Sequence, residues 1–254
     1  MSCSASRSRA ARCSARCNAI STANSTRPSD FAILADPERQ LAINYATPSK
    51  RAALECLWRL DERMGAIVAA AREPAIGAMR LLWWRDALAR LDDIKAPVPA
   101  EPLLDAAATL LVDGGLAGEA LAGLEEGWAA LLDSEEPGEA EIVAHGELRG
   151  ARLFALSAQL LGGAPEETKR AGAGWALADL GHRLRDPDAR RFARERALAA
   201  LSDADIASWP GTLRPLGLLA VLARGDARMP PARLRRQGAP KRLLRALAYR
   251  LTGR

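Results

Sequence analysis

Arg72-Glu73-Pro74-Ala75-Ile76-Gly77-Ala78-Met79-Arg80-Leu81-Leu82-Trp83-Trp84-Arg85-Asp86-Ala87-Leu88 is the stretch that decides the fold class. Glu73 and Pro74 read as a helix start, because proline at the first helical position loses only an N–H that has no intrahelical partner. Ile76, Met79, Trp83 and Ala87 then recur at helical spacing and predict one inward face. Two adjacent tryptophans cannot share a face. Trp83 is therefore expected to pack inward, and Trp84 to sit on a flank or in a cleft wall.

The pattern extends in both directions from this helix, placed over 74–92. Upstream, Thr47-Pro48 has the look of an N-cap and first helical residue, and the helix is expected to run to Ala71. Leu54, Leu57, Leu60, Met64, Ile67 and Val68 form its buried arc. Downstream, prolines at 97, 99 and 102 break the chain. Helical patterns follow at 102–112 and 116–133, Pro137-Gly138 breaks again, and a long helix covers 139–161. That helix ends at Gly162-Gly163, a C-cap signal. Within it Gly146 and Gly150 stand four apart, which admits a close neighbouring helix. Further helices are expected at 165–184, 190–201, 213–223 and 240–251. No alternating strand pattern and no repeat interrupts them. The fold class is therefore all-α: a single-domain bundle of roughly eight to ten helices.

Composition agrees. The chain has 254 residues, 49% of them hydrophobic, which suits one domain with a substantial core. Alanine and leucine dominate, and β-formers are scarce. No apolar run reaches the ~18 residues of a membrane span. Cys3, Cys13, Cys17 and Cys56 make no disulfide framework, so a reducing, cytoplasmic compartment is the simpler reading. The net charge of +5 is concentrated at the ends. Residues 1–30 hold five Arg and one acid, and residues 224–254 hold ten Lys or Arg and one acid. The middle, 31–223, keeps 21 basic against 29 acidic residues, a net of −8. An acidic body argues against nucleic-acid binding. The organisation expected is an N-terminal extension over 1–30, a helical domain over 31–223 and a basic tail over 224–254. The Ser- and Arg-rich start is too polar to bury a core. Such Arg- and Ser-rich, acid-poor starts also resemble organelle transit peptides, but a disordered extension or a mis-assigned start codon is the preferred reading.

Asp61 is the acid with most chemical interest. Projected on a helix, it falls inside the arc of Leu54, Leu57, Met64 and Val68, where a carboxylate is costly unless paired or bound to a cation. Glu62 sits at the edge of the same arc. A salt bridge from an Arg on a neighbouring helix and a metal role are both open at this point. His145 and His182 are the only histidines, and no Cys or His stands at zinc-ligand spacing. No catalytic triad or phosphate loop has local support. The last helix places Leu243, Leu244, Leu247 and Leu251 on one side, flanked by Arg242, Arg245 and Arg250. Docking on the domain with a solvated basic face is one reading, and peripheral attachment to anionic membrane is the other.

The wording of the tryptophan segment, R-E-P…G…R-L-x-W-W-R-D-A-L, resembles the signature of the squalene/phytoene synthase family. The likeness is to the divergent branch that includes complex I assembly-factor-like proteins, and it covers 38–161 well, 162–223 weakly and the last helix faintly. It implies the all-helical isoprenoid-synthase fold around an apolar cavity. It also implies substrate contacts at Arg80, Trp84 and Trp175. Synthases of this family carry an Asp-rich motif on the helix of Asp61, whose carboxylates hold Mg²⁺ against a prenyl diphosphate. The matching run is Asp61-Glu62-Arg63-Met64-Gly65, with Gly65 in place of the closing acid. A second acidic motif matches Leu184-Arg185-Asp186-Pro187-Asp188-Ala189-Arg190, where Asp186 is the first acid, Arg190 replaces the next and Pro187 breaks the required helix. If active, the chain is an Mg²⁺-dependent prenyl transferase with Asp61, Glu62 and Asp186 as metal ligands. If degenerate, as the missing acids favour, it is a non-catalytic relative binding a protein partner or a lipid-like ligand. A helical scaffold with no ligand is the third reading.

Overall fold

A computed structural model describes residues 34–132, 136–229 and 235–253. The expected N-terminal extension lies outside these residues. Helix α1 spans Pro37–Asn44, α2 Pro48–Ala70, α3 Pro74–Ala89 and α4 Pro102–Ala107, which continues as a π-helical stretch over Ala108–Val112. Short helices α5 (Gly118–Ala122) and α6 (Leu124–Ala129) follow. Next comes a long rod made of α7 (Glu139–Ala144), a π-helical stretch (His145–Ala151) and α8 (Arg152–Leu161). Helices α9 (Pro165–Leu180), α10 (Pro187–Asp203), α11 (Arg214–Ala227) and α12 (Pro240–Thr252) complete the chain. No strand occurs among the described residues, and none of their helices is long and apolar enough to cross a membrane. The protein is an all-α bundle.

Proline sets most helix starts. It occupies the first turn of α1, α2, α3, α4, α9, α10, α11 and α12. The missing N–H costs nothing there, and the fixed φ favours helix. Thr47 stands at the N-cap position of α2 but makes no side-chain cap bond. Gly162 closes the rod at φ 76°, in the left-handed region where glycine alone escapes a Cβ penalty. Helix α1 was not foreseen. Asp36 caps it by accepting from the Glu38 N–H, 2.8 Å away.

Two helices organise the core. Helix α2 packs against α1, α3, α4, α6 and α8, and α9 packs against the π-helical part of the rod, α8, α10 and α11. The rod and α9 cross at their glycines. A Cβ at Gly150 would collide with the Gly172 carbonyl, and one at Gly146 would stand 2.8 Å from Leu177. This is the close approach that the spacing of Gly146 and Gly150 predicts.

Helix α3 departs from expectation. Its buried residues are Gly77, Leu81, Trp84, Ala87 and Leu88, while Ile76, Met79, Leu82 and Trp83 are exposed. Trp83, expected inward, is exposed; Trp84, expected on a flank or in a cleft wall, is buried beneath the groove between α2 and α3; of the expected inward face only Ala87 is buried. The helix is apolar nearly all round, so periodicity leaves two candidate faces. Gly77 decides between them, because only glycine permits the contact with Ala71 and Leu132, both 2.9 Å from where its Cβ would be.

Candidate functional site

Asp61 lies on the buried side of α2, among Leu57, Leu60 and Met64, and is fully buried. It is not bare. Arg149, from the π-helical part of the rod, donates through Nε to Oδ1 at 2.7 Å and through Nη2 to Oδ2 at 2.8 Å. This two-pronged geometry is the strongest a carboxylate can find among side chains. Trp128 of α6 donates its indole N–H to Oδ1 at 2.9 Å, and Arg39 of α1 stands 3.7 Å from Oδ2.

A second buried acid, Asp179 of α9, shares both arginines. Arg39 reaches it at 3.2 Å and Arg149 at 3.6 Å. Arg183 and Arg235 add contacts at 3.0 and 3.4 Å. Aromatic faces complete the enclosure. The Arg149 guanidinium sits 4.1 Å from the Trp128 ring centre and 4.8 Å from that of Trp175, and Arg39 lies over Trp175 at 5.1 Å. Flat guanidinium groups suit such slots.

Electrostatics follow from the geometry. Burial alone would raise the Asp61 carboxyl, but Arg149 overrides it, and the net shift is downward. Asp179 behaves likewise, with Arg39 the chief counter-charge to burial. Both stay ionised. His145 is driven the other way: burial and then the positive Arg149 lower it to about 3. Its Nδ1 is 2.6 Å from the Gly127 carbonyl, which can only accept. Its Nε2 is 3.2 Å from Arg149, which can only donate. The imidazole is therefore neutral, protonated on Nδ1, and steadies Arg149 from the side away from Asp61.

Gly65, the position of the missing acid, is filled from outside. A Cβ there would stand 2.7 Å from the Trp128 indole. The side-chain space of a closing carboxylate is taken by the ring that donates to Asp61.

The residues expected to form a site divide into separate neighbourhoods. Asp61, Glu62 and Trp175 belong to the cluster; Glu62 is partly exposed and accepts from Arg39 at 3.4 Å and from the Ala35 N–H at 3.2 Å. Asp186 does something else. It is the N-cap of α10, accepting from the Ala189 N–H at 2.6 Å. Pro187 accordingly starts a helix instead of breaking one, and the expected helix C-terminus ends earlier, at Leu180. Arg80 and Trp84 line an open groove on the outer side of α2 and α3 with Arg63, Ile67 and Trp83.

Mg²⁺ does not fit this donor set. Both Asp61 oxygens are engaged by Arg149, position 65 is blocked, and Asp186 caps a helix. Among the described residues no group of three or more His, Cys, Asp or Glu could hold a metal ion. The acid that faces Asp61 across the core is Asp179. Its signal was available: an acid inside the apolar run Ala176-Leu177-Ala178-Asp179-Leu180. The cavity beside the cluster, lined in part by Trp175, Asp179, Asp226 and Arg235, measures about 20 Å³.

Comparison with family models, curated proteins and solved structures found no match to this chain.

Proposed function

We propose that the chain is a squalene/phytoene synthase-like helical protein without prenyl-transfer chemistry, acting as a binding platform like the assembly-factor-like branch it resembles. One observation carries this reading. The acid that would lead the metal-binding run is held by Arg149 and Arg39, and Trp128 fills the space of the acid that would close it. Mg²⁺ requires free carboxylate oxygens in near-octahedral array. Releasing Asp61 would strand Arg149 in the interior with a single distant carboxylate, Asp179.

Two further observations support the reading. The cavity beside the cluster, about 20 Å³, has room for a single water and none for a prenyl chain against Asp61; the groove that Arg80 lines, about 480 Å³, lies open on the outer side of α2 and α3. Of the residues that the family resemblance would set against substrate, Arg80 is exposed on an outer groove, and Trp84 is buried at its floor under Arg63. Binding at the surface is thus favoured over a lipid-like ligand held inside beside Asp61.

The test is incubation of the full chain with radiolabelled farnesyl diphosphate and Mg²⁺. The label should be recovered as unchanged diphosphate. Robust formation of squalene or phytoene would overturn the proposal and return Asp61 and Glu62 to metal binding.

A further inference from the structure

Helix α12 presents two opposed faces. Its inner face is clamped to the bundle. Arg242 bonds Glu38 of α1 at 2.5 and 2.6 Å and also pairs with Asp226 of α11. The ring of Tyr249 covers Gly217, where any Cβ would collide with its hydroxyl. Arg214 donates to the carbonyls of Tyr249 and Arg250 at 2.8 Å each, and Tyr45 donates to that of Ala246 at 3.2 Å. The outer face is a row of leucines. Leu243, Leu244, Leu247 and Leu251 are 48–75% exposed. At about 100° per residue they fill one arc, opposite Ala246 and Tyr249. Lys241 borders that arc on one edge and Arg250 on the other, with Arg245 beyond Lys241; all three are exposed.

We propose that α12 is a membrane-docking helix, whose leucine row enters the headgroup–acyl boundary of a bilayer containing anionic lipid. An exposed row of four leucines on an otherwise cationic helix is the pattern of interfacial helices that lie in the membrane plane. Charge selects the occupant. No acid occurs after Asp226, and Asp226 is itself buried against Arg242. A second copy docked leucine to leucine would set cations against cations with no acid to relieve them. An anionic bilayer answers both the leucines and the cations. Residues 31–223, at a net −8, are repelled by the same surface, so the domain would be held with this end down. Because the helix is already folded and clamped, docking pays no ordering cost.

The experiment is co-sedimentation of the full chain with vesicles of phosphatidylcholine alone and with phosphatidylglycerol added, at low and raised salt. Binding should require the anionic lipid and weaken with salt. Leu244→Glu with Leu251→Glu should weaken it by about tenfold or more, through lost apolar burial, with an unchanged melting temperature because both side chains already face solvent. Arg245→Glu should also weaken it. Four results would each overturn the proposal: wild-type protein that ignores anionic vesicles, equal binding to neutral vesicles, binding indifferent to the leucine variants, or a wild-type dimer that those variants split.

Discussion

At the scale of single residues, the cost of burying Asp61 and Asp179 is met by Arg149 and Arg39 rather than by a metal. Breaking such a pair from one side leaves an uncompensated charge indoors. Arg149→Met should therefore lower stability by about 3–5 kcal/mol in urea unfolding. Arg149→Lys should recover little of it, since an ammonium cannot reproduce the two-pronged contact or lie flat between Trp128 and Trp175. A loss below about 1 kcal/mol for Arg149→Met would mean that the cluster is far wetter than its burial indicates. His145 sets a pH dependence. In the unfolded chain it takes a proton near 6.5, and in the folded chain only near 3. Between those values the unfolded state holds the extra proton, so the contribution is fully present above about 6.5. It then falls with pH, by up to about 1.4 kcal/mol per unit. The two aspartates, lowered by folding, act in the same direction below their ordinary value of 3.8. His145→Gln should flatten the decline of melting temperature in mildly acidic buffer; an unaltered slope would place the titration elsewhere. Burial of Asp61 was legible from its place in the leucine arc. Its partner was not, because Arg149 lies 88 residues away in sequence and only the packed bundle brings them together.

At the scale of helices, starts and faces were unequally legible. Prolines and caps act within a few residues, so the spans of α2, α3 and α12 and the start of α9 follow from local chemistry. Which face is buried depends on the neighbour, and that is where reading failed. On α3, apolar side chains line both sides, and Gly77 admits the bundle on the side away from Met79 and Trp83. On α12, where two readings stood open, the one that docks the leucines and solvates the arginines is overturned: the leucines face outward, and Arg242 and Tyr249 make the internal contact. A cut after Ala223 is for this reason a poor test of tail function. It removes the last turn of α11 and unpairs Glu38, because the basic end is part of the folded body. Point changes separate the roles. Gly217→Val should evict Tyr249 and release α12, seen as fast tryptic cleavage at Lys241, Arg242 and Arg245 while the rod and α9 stay protected. Resistance equal to wild type would show that the polar clamps alone hold the helix. Arg242→Ala should cost at least about 2 kcal/mol, as Glu38 and Asp226 lose their shared counter-ion.

At the scale of the molecule, the all-α bundle was legible because every segment carries helical period and stop signals, and no strand pattern competes. The charge division was legible too, as a count along the chain. What occupies the centre was not. Composition cannot distinguish an apolar cavity from one filled by ion pairs: Asp61 and Asp179 stand out as acids in apolar runs, but Arg39 and Arg149 carry no such signal and reveal their role only where the bundle brings the four together. Their meeting makes a statement about ligand response that can be checked on the intact protein. A fold that binds a ligand only when native gains RT ln(1 + [L]/Kd), about 2.7 kcal/mol at a hundredfold excess over Kd. For a domain of this size that raises the melting temperature by roughly 5–10 °C. Mg²⁺ with inorganic diphosphate should leave this chain unmoved, because both Asp61 oxygens are bound by Arg149 and Trp128 bars position 65. Gly65→Asp should not create a response, since the new side chain meets the Trp128 indole and Asp61 stays paired; it should instead lower the melting temperature by overpacking. A rise of several degrees that needs Mg²⁺ and diphosphate together, in wild type or in Gly65→Asp, would mean that the cluster opens to a metal-bridged anion and that the internal ion pairs are a resting state of a working site.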